Sequence, residues 1–313
     1  MGNNMERNNI ALPKKKNSMA RYMPFFFMAL PGLIYLIINN YLPMFGLIMA
    51  FKKVNFSLGI LASPWCGLSN FKFLFATSDA WIATRNSILY NLFFIIANNF
   101  CGIFVAILLN EIKSKFFTKV YQNVFLLPYL ISTVIISYIV YAFLSGDTGY
   151  INNTLLKGEG VSWYTEPKYW PIIISLVNIW RQTGYHSIIY FSSIIGIDSS
   201  LFEAATLDGA SKWQQIKNIT LPSLKPTIIT LVLLALGRIF YSDFGLFYQV
   251  PMDSGALYPT TNVLDTFVYR SLMKLGNVGM ASAAGFYQAV VGFCLVLLSN
   301  ALIRKIDKEN ALF

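Results

Sequence analysis

Charged residues are scarce in this sequence, and acidic ones are the scarcest. Only 12% of the 313 residues are charged, with 14 Asp and Glu against 24 Lys and Arg, whereas about a quarter of a soluble domain is charged. Hydrophobic residues make up 56%, so the composition indicates a protein that crosses a lipid bilayer several times. The net charge of +10 does not predict a nucleic-acid partner, since no nucleic-acid-binding motif accompanies the basic residues.

Histidine and cysteine are nearly absent. The chain has one histidine, His186, and three widely spaced cysteines, Cys66, Cys101 and Cys294. This excludes a site that needs two histidines, and the cysteines form neither a disulfide framework nor a metal-binding pattern. The sequence also lacks a serine-nucleophile elbow and clustered carboxylates, which disfavours a membrane-embedded enzyme. We expect no catalytic residue and no metal ligand, and we expect His186 to be an interior or interfacial residue.

Six apolar runs are long enough to cross a bilayer, which takes about 20 mostly apolar residues. They are 22–51, 85–109, 119–144, 169–195, 226–250 and 279–303. The first run is too long for a signal peptide and lacks a small-residue cleavage site, so we expect it to be retained. The sequence therefore predicts an all-α polytopic protein with six transmembrane helices over 22–303, a basic N-terminus at 1–21 and a short tail at 304–313.

Lys and Arg are divided unevenly between the two alternating sets of connections. The segments predicted on the same side as the N-terminus are 1–21, 110–119, 196–226 and 304–313, and they hold 14 Lys and Arg residues. The segments on the other side hold 7. Basic residues accumulate in cytoplasmic loops. Both termini and the loop 196–226 are therefore predicted to be cytoplasmic.

The loop 196–226 is a polar interruption in an apolar chain. Asp198 can cap a short helix over Leu201–Leu207, and Gly209 can end that helix. A capping-box pattern over 211–214 can start a second helix. The expected shape is helix, glycine corner, helix, which can dock a partner protein or pack as a solvated loop against its own spans.

Seven positions of this loop match a family motif. The pattern Glu-Ala-Ala, three residues, Gly, nine residues, Ile, one residue, Leu-Pro resembles the EAA loop of permease subunits in ATP-binding-cassette importers. The matching residues are Glu203, Ala204, Ala205, Gly209, Ile219, Leu221 and Pro222. In that family the loop is the coupling helix that sits in a groove of the ATPase. The resemblance implies that these residues dock an ATPase together with Asp208, which is typical of the sugar-importing branch.

The resemblance extends over nearly the whole chain. Segments 40–46, 68–71, 109–112 and 265–270 resemble polysaccharide- or oligosaccharide-type permeases. This implies the type I importer fold in the plasma membrane of a bacterium, a second homologous permease subunit, two ATPase subunits and an external solute-binding protein. The segment 265–270, between spans five and six, can face that binding protein or the translocation path.

The resemblance implies that the protein imports carbohydrates by alternating access, and that these carbohydrates are oligosaccharides released when polysaccharides are broken down. The sequence has no phosphate-binding loop, so ATP and magnesium are expected on the partner ATPase and no cofactor on this chain. A non-sugar cargo, such as a modified peptide or a polyol, is the alternative within this class. An ion-gradient-driven transporter is disfavoured, because such proteins often carry two internal repeats and none is found here.

Polar residues in spans four to six are the candidates for the substrate path, since ionisable groups at membrane depth usually face a cavity or a partner. They are Asn178, Trp180, Arg181, Arg238, Tyr241, Asp243, Gln249, Tyr287 and Gln288. Aromatic faces suit the C–H side of a sugar ring, and polar groups suit its hydroxyls. The same residues can instead hold the helix bundle together.

Two further expectations concern polar residues within single spans. Arg238 and Asp243 are about 140° apart on one helix, so a mutual ion pair is not expected. Asn98 and Asn99, in span two, are expected to serve packing between subunits.

Overall fold

The computed structural model describes residues 18–72, 76–157 and 160–306, and these ranges contain helices, turns and one isolated bridge between Lys52 and Trp65, with no β-strand. The all-α prediction is confirmed. Residues 1–17 of the predicted N-terminal segment and residues 307–313 of the predicted tail lie outside the described residues. The chain divides into two compact units, Met1–Ile48 and Met49–Phe313.

The first unit is built on helix α1, Ser18–Leu36. A π-helical turn, Ile37–Tyr41, and a short helix, Leu42–Met44, continue it. Pro43 lies in the first turn of that short helix and has no backbone N–H to donate. With the following 3₁₀ turn these elements form the apolar stretch Tyr22–Phe51, which is long enough to span a membrane.

The second unit holds the remaining helices. The main ones are α2 (Ser78–Asn110), α3 (Lys115–Leu130), α4 (Thr133–Leu144), α5 (Trp170–Ile195), α6 (Ser199–Leu207), α7 (Lys212–Gln215), α8 (Lys225–Leu236), α9 (Phe244–Tyr248), α10 (Leu264–Met273) and α11 (Val278–Ile306). Shorter turns of helix are Phe45–Phe51, which begins in the first unit, and Ser69–Phe71, Ile151–Leu155, Pro167–Tyr169, Ile216–Thr220, Leu221–Ser223, Gly255–Leu257 and Tyr258–Thr261.

Several of the candidate spans are bent. In the described ranges, three helical stretches are long and apolar enough to cross a membrane unbroken: Tyr22–Phe51, α2 and Val278–Lys305. Three bent pairs also pass the length and composition test: α3 with α4 at 92°, Pro167–Ile195 with α6 at 70°, and Lys212–Ser223 with α8 at 52°. The count reaches six only if each bent pair forms one span.

Two of the predicted spans are not continuous helices. The span 119–144 is broken before Thr133, where Ser132 caps α4 by accepting a hydrogen bond from the Ile135 backbone N–H at 3.4 Å. The span 226–250 stops being helical after Leu236, and residues 237–243 are turns and irregular chain. The first break lies within an apolar run, whereas the second contains the charged residues Arg238 and Asp243.

Helices α2 and α5 pack together at the centre of the second unit. One buried cluster joins Tyr90 of α2 and Ile174 of α5 to Phe247 of α9, with the Tyr90 and Phe247 ring centroids 4.9 Å apart. Another cluster includes Tyr190 of α5 and Leu224, which lies just before α8. Both ends of α5 are therefore anchored, and the polar residues between them have fixed positions.

Gly184 allows α5 to approach α3 closely. A Cβ atom added at Gly184 would overlap the Phe125 carbonyl and lie 2.8 Å from the Leu126 Cα. We expect Gly184→Ala to lower the free energy of unfolding by about 1–3 kcal/mol, because the backbone of α3 must shift. The melting temperature of the purified complex measures this. Gly285→Ala is the control, since no heavy atom lies within 4 Å of its added Cβ, and equal melting temperatures for the two variants would contradict the close approach.

A charged cluster holds α10 in the connection between α9 and α11. Asp253 accepts hydrogen bonds from Arg270 Nε at 2.9 Å and Lys274 Nζ at 2.6 Å, and the Arg270 guanidinium lies 3.9 Å from the centre of the Tyr258 ring. Burial raises the pKa of the Asp253 carboxyl, but the hydrogen bonds from Lys274 and Arg270 outweigh it and hold that pKa below its ordinary value. Asp253 therefore stays ionised at neutral pH and fixes the position of α10.

Candidate functional site

The loop 196–226 has the predicted caps. Asp198 Oδ1 accepts a hydrogen bond from the Ser200 backbone N–H at 2.9 Å, and this bond lowers the pKa of the Asp198 carboxyl. At the start of α7, the Ser211 backbone N–H donates to Gln214 Oε1 at 2.7 Å, and the Gln214 N–H donates to Ser211 Oγ at 3.4 Å. These are the N-cap and the capping box that the sequence predicts.

The corner between α6 and α7 is a Schellman motif. The Gly209 N–H donates to the Thr206 carbonyl at 3.1 Å and the Ala210 N–H to the Ala205 carbonyl at 2.8 Å. Gly209 has a φ of 81°, which glycine adopts without the clash of a Cβ atom. The buried Gln215 amide then crosses the corner, donating to Thr206 Oγ1 at 3.0 Å and to the Ala210 carbonyl at 3.4 Å. The two helices are therefore bonded to each other.

The predicted docking residues are mostly accessible. Six are exposed, namely Glu203, Ala204, Asp208, Gly209, Leu221 and Pro222, and two are half-buried, namely Ala205 and Ile219. Between them Leu207 is 90% exposed, and Trp213 is 70% exposed. Large apolar side chains that stand out from a polar loop indicate an interaction surface. Glu203 makes no ion pair with any residue the structure describes.

A second candidate region is the break between α8 and α9, residues 237–243. Side chains from α2, α10 and α11 bond its backbone: Asn91 to the Ile239 carbonyl at 2.9 Å, Asp265 to the Ser242 N–H at 2.6 Å and Gln288 to the Phe240 carbonyl at 2.7 Å. Free backbone groups at membrane depth are costly unless they are satisfied in this way. Breaks of this kind form substrate and ion sites in transporters.

An ion pair joins the break to α5. Arg181 Nη1 lies 2.5 Å from Asp243 Oδ2, and the two side chains are 16% and 31% exposed. Asp243 Oδ1 also accepts the Leu246 backbone N–H at 3.1 Å, which caps α9. The buried Arg181 Nε has no hydrogen-bond partner among the described residues. Asp243 therefore neutralises the charge of Arg181 and caps the start of α9.

A polar cavity of about 370 Å³ lies between α2, α5, α8 and the break. Its polar lining consists of Asn91, Asn98, Asn99, Asn178, Gln182, Tyr185, His186, Arg238, Tyr241 and Asp243. Asn98 Nδ2 donates to Asn178 Oδ1 at 3.0 Å, whereas the buried Asn98 Oδ1 has no partner among the described residues. Amide, phenol and guanidinium groups in one cavity can exchange hydrogen bonds with a ligand rich in hydroxyl groups.

The structure brings part of the predicted substrate path to this cavity. Asn178, Arg238, Tyr241 and Asp243 line it. Arg181 adjoins the cavity through its ion pair with Asp243. Gln288 donates a hydrogen bond to the backbone of the break, and the centroids of the Tyr287 and Phe240 rings are 5.6 Å apart. Trp180 and Gln249 do not line the cavity. The expectation that Arg238 and Asp243 share one helix is wrong, because α8 ends before both, and the partner of Asp243 is Arg181.

Three residues that the sequence assigns to packing also line the cavity: Asn98, Asn99 and His186. Asn98 bonds Asn178, and the Tyr190 hydroxyl donates to Asn99 Oδ1. The expectation that Asn98 and Asn99 pack between subunits is therefore wrong, since both are buried within this chain. Two adjacent amides in the middle of an apolar helix were the available signal.

Comparison with known proteins identifies the family. The family described as "Binding-protein-dependent transport system inner membrane component" matches residues 98–308, which include the loop, the break and most of the cavity lining. The chain belongs to this family. It is a membrane permease, the transport subunit of an ABC transporter.

Two relatives from Bacillus subtilis (strain 168) align with most of the permease. The "Polygalacturonan/rhamnogalacturonan transport system permease protein YteP" is 32% identical over 91% of this chain and 89% of its own length. "Protein LplB" is 30% identical over 91% of this chain and 90% of its own. The permease thus matches these relatives across nearly their full length.

Solved structures share the fold. A chain of a bacterial ABC transporter involved in the import of the acidic polysaccharide alginate has a TM-score of 0.83 and 34% identity, covering 93% of this chain and 98% of that one. The alginate transporter in complex with an alginate pentasaccharide-bound periplasmic protein gives a TM-score of 0.83 at 33% identity, covering 93% and 97%. The permease therefore has the fold of an importer subunit.

Proposed function

We propose that this permease is one of two homologous transmembrane subunits of an ATP-driven importer for acidic oligosaccharides from polysaccharide breakdown. The permease lies in the plasma membrane of a bacterium, crosses that membrane six times and has both termini in the cytoplasm. An extracellular binding protein delivers the sugar, and two ATPase subunits bind ATP and magnesium. The permease passes the sugar by alternating access.

The polar cavity at the break carries this proposal. Its amides and the Tyr241 phenol suit sugar hydroxyls. Arg238 is exposed and forms no ion pair with another described residue. A guanidinium that has no salt-bridge partner can bind a carboxylate through two parallel hydrogen bonds. The relatives named for polygalacturonan and for the acidic polysaccharide alginate support a substrate that carries carboxylates.

The exposed face of the loop supports the coupling to ATP. Glu203, Leu207 and Trp213 present one carboxylate and two large apolar side chains beside a rigid corner. Docked in an ATPase groove, this surface moves when the ATPases close. Because the helical chain continues from α7 through Leu221–Ser223 into α8, the movement reaches the break and the cavity.

Uptake by proteoliposomes tests the proposed function. The permease would be reconstituted with its partner permease and ATPases, with ATP on the ATPase side and with binding protein and labelled trigalacturonate on the other. We expect uptake that requires both ATP and binding protein. Uptake driven by a proton or sodium gradient without the ATPases would contradict the proposal, and competition only by a peptide or a polyol would reassign the cargo.

Arg238→Gln tests the acidic character of the substrate. We expect uptake of trigalacturonate at limiting concentration to fall about thirtyfold, since a hydrogen bond to a charged group contributes about 2 kcal/mol. Uptake of the methyl-esterified trisaccharide, which lacks the charge, should be unchanged. Arg304→Gln, in the last turn of α11, is the control for loss of one positive charge. Equal losses for the acid and the ester would exclude a carboxylate contact.

A further inference from the structure

We propose that a basic pocket at the cytoplasmic ends of α2, α3 and α5 binds the headgroup of an anionic phospholipid from the inner leaflet. The pocket has a volume of about 440 Å³ and is separate from the polar cavity. Its lining includes Lys113, Lys115 and Lys119 on one side and Phe191 and Ile195 on the other. The proposal rests on the cytoplasmic orientation given under the proposed function.

The positive charge of this pocket is not neutralised by any residue that the structure describes. No Asp or Glu is among its lining residues, and none of the three lysines forms an ion pair with a residue the structure describes. The carboxylate nearest in sequence, Glu111, lies 3.7 Å from Lys212 Nζ. Three ammonium groups around one cavity repel each other unless an anion lies between them. The pocket therefore favours a negatively charged ligand.

The apolar wall narrows the class of anion. Ile195 is 63% exposed at the end of α5, and Phe116 and Phe117, beside Lys115 on α3, are 70% and 53% exposed. Aromatic residues next to lysines at the end of an apolar helix match the headgroup layer of a bilayer. A soluble anion would leave these apolar side chains uncovered, whereas a phospholipid places acyl chains beside them.

The base of the pocket is preformed. Behind Phe191, the residues Tyr190, Ile194 and Leu224 belong to one buried cluster with Ala106 of α2. The Thr118 hydroxyl donates to the Ser114 carbonyl at 3.0 Å and to the Ile112 carbonyl at 3.4 Å. These bonds tie the first turn of α3 to the short connection that follows α2. The lysines thus stand on a rigid base, and little ordering is needed when a headgroup binds.

Native mass spectrometry of the assembled importer tests the site, with dioleoyl phosphatidylglycerol and dioleoyl phosphatidylcholine as probes. We expect one phosphatidylglycerol site that the K113Q/K115Q/K119Q variant weakens about a hundredfold, since each lysine contributes about fivefold near an anionic headgroup. The variant K53Q/K157Q/K168Q removes the same charge from the opposite connections and should bind phosphatidylglycerol as the wild type does.

Several outcomes would overturn the site. Equal binding of phosphatidylglycerol by the two triple variants would do so. Retention of phosphatidylcholine by the wild type to the same extent as phosphatidylglycerol would also do so. Displacement by inorganic phosphate would show a small-anion site, and a photoreactive residue at position 119 that cross-links to an ATPase or the partner permease would show a protein occupant. ATP-dependent uptake, measured on the same samples, reports the proposed function separately. If the wild-type complex binds the lipid but shows no uptake, only the proposed import function is contradicted.

Discussion

Glu203→Lys will release the ATPase subunits from the purified complex and leave the permease folded in the membrane. The side chain is exposed on α6, away from the bonds that form the glycine corner, so folding does not depend on it. A reversed charge in a docked interface costs about 2–5 kcal/mol, which weakens docking from about thirtyfold to several thousandfold. Retention of the ATPases on a tagged permease, and ATP hydrolysis stimulated by binding protein, measure this loss.

Glu166→Lys is the matched control. Glu166 is a partly exposed carboxylate, with 47% of its side chain accessible, and it lies 3.7 Å from Lys168 in the connection before α5, at the end of α5 opposite the docking loop. We expect this variant to keep its ATPase subunits. Full transport by Glu203→Lys, with the ATPases retained, would show that α6 is a solvated loop and not a docking surface.

Asp243→Asn will lower the melting temperature of the assembled complex strongly. Asparagine can still cap α9, so the substitution removes mainly the negative charge that faces Arg181. The arginine is mostly buried and already has one nitrogen without a partner among the described residues, so the substitution would leave its charge unpaired. Breaking such a pair costs about 3 kcal/mol.

The double variant R181M/D243N separates structure from transport. With both charges removed, most of the lost stability should return, since a buried pair often gives way to apolar residues with little cost. If Asp243 also contacts the sugar, uptake will stay low in the double variant although its melting temperature recovers. Additive losses from the two single variants would show that the residues are not coupled and would contradict the ion pair.

The docking loop could be predicted from the sequence because its determinants are local. Asp198, Ser211 and Gln214 bond to backbone groups within three residues of themselves, and Gly209 ends a helix through its own φ. Such bonds depend on side-chain type and spacing, which the sequence shows directly. Docking of an ATPase there stays a prediction.

The polar cavity could be predicted only in part, because its determinants are distant in sequence. Asp243 meets Arg181 from 62 positions away, and Asn98 meets Asn178 from 80 positions away. Sequence reasoning recognised polar residues at membrane depth but could not assign their partners. It therefore assigned Arg238 and Tyr241 correctly to the cavity. It also assigned Trp180 and Gln249, which do not line the cavity, and it assigned Asn98, which does, to helix packing.

The breaks in spans three and five were missed for a different reason. Both interrupt runs that are mostly apolar, and the length of such a run does not show where the backbone turns. Local signals were present: Pro128 and Ser132 precede α4, and Gly237 follows α8. A proline or glycine in a membrane helix does not by itself break it, because neighbouring helices can satisfy the freed backbone groups. Whether the chain turns depends on contacts such as those from Asn91 and Gln288.

The glycine corner, which looks like a hinge, is a fixed joint. Because Gln215 bridges from α7 to Thr206 and Ala210, a force applied at Glu203 cannot be absorbed by flexing at Gly209. The first place where the chain can yield is the 52° bend next to Leu224. A movement of α6, if an ATPase drives it as proposed, would therefore pass through the corner and α7 to this bend, so the permease yields at the junction between the docking loop and α8 and not at Gly209.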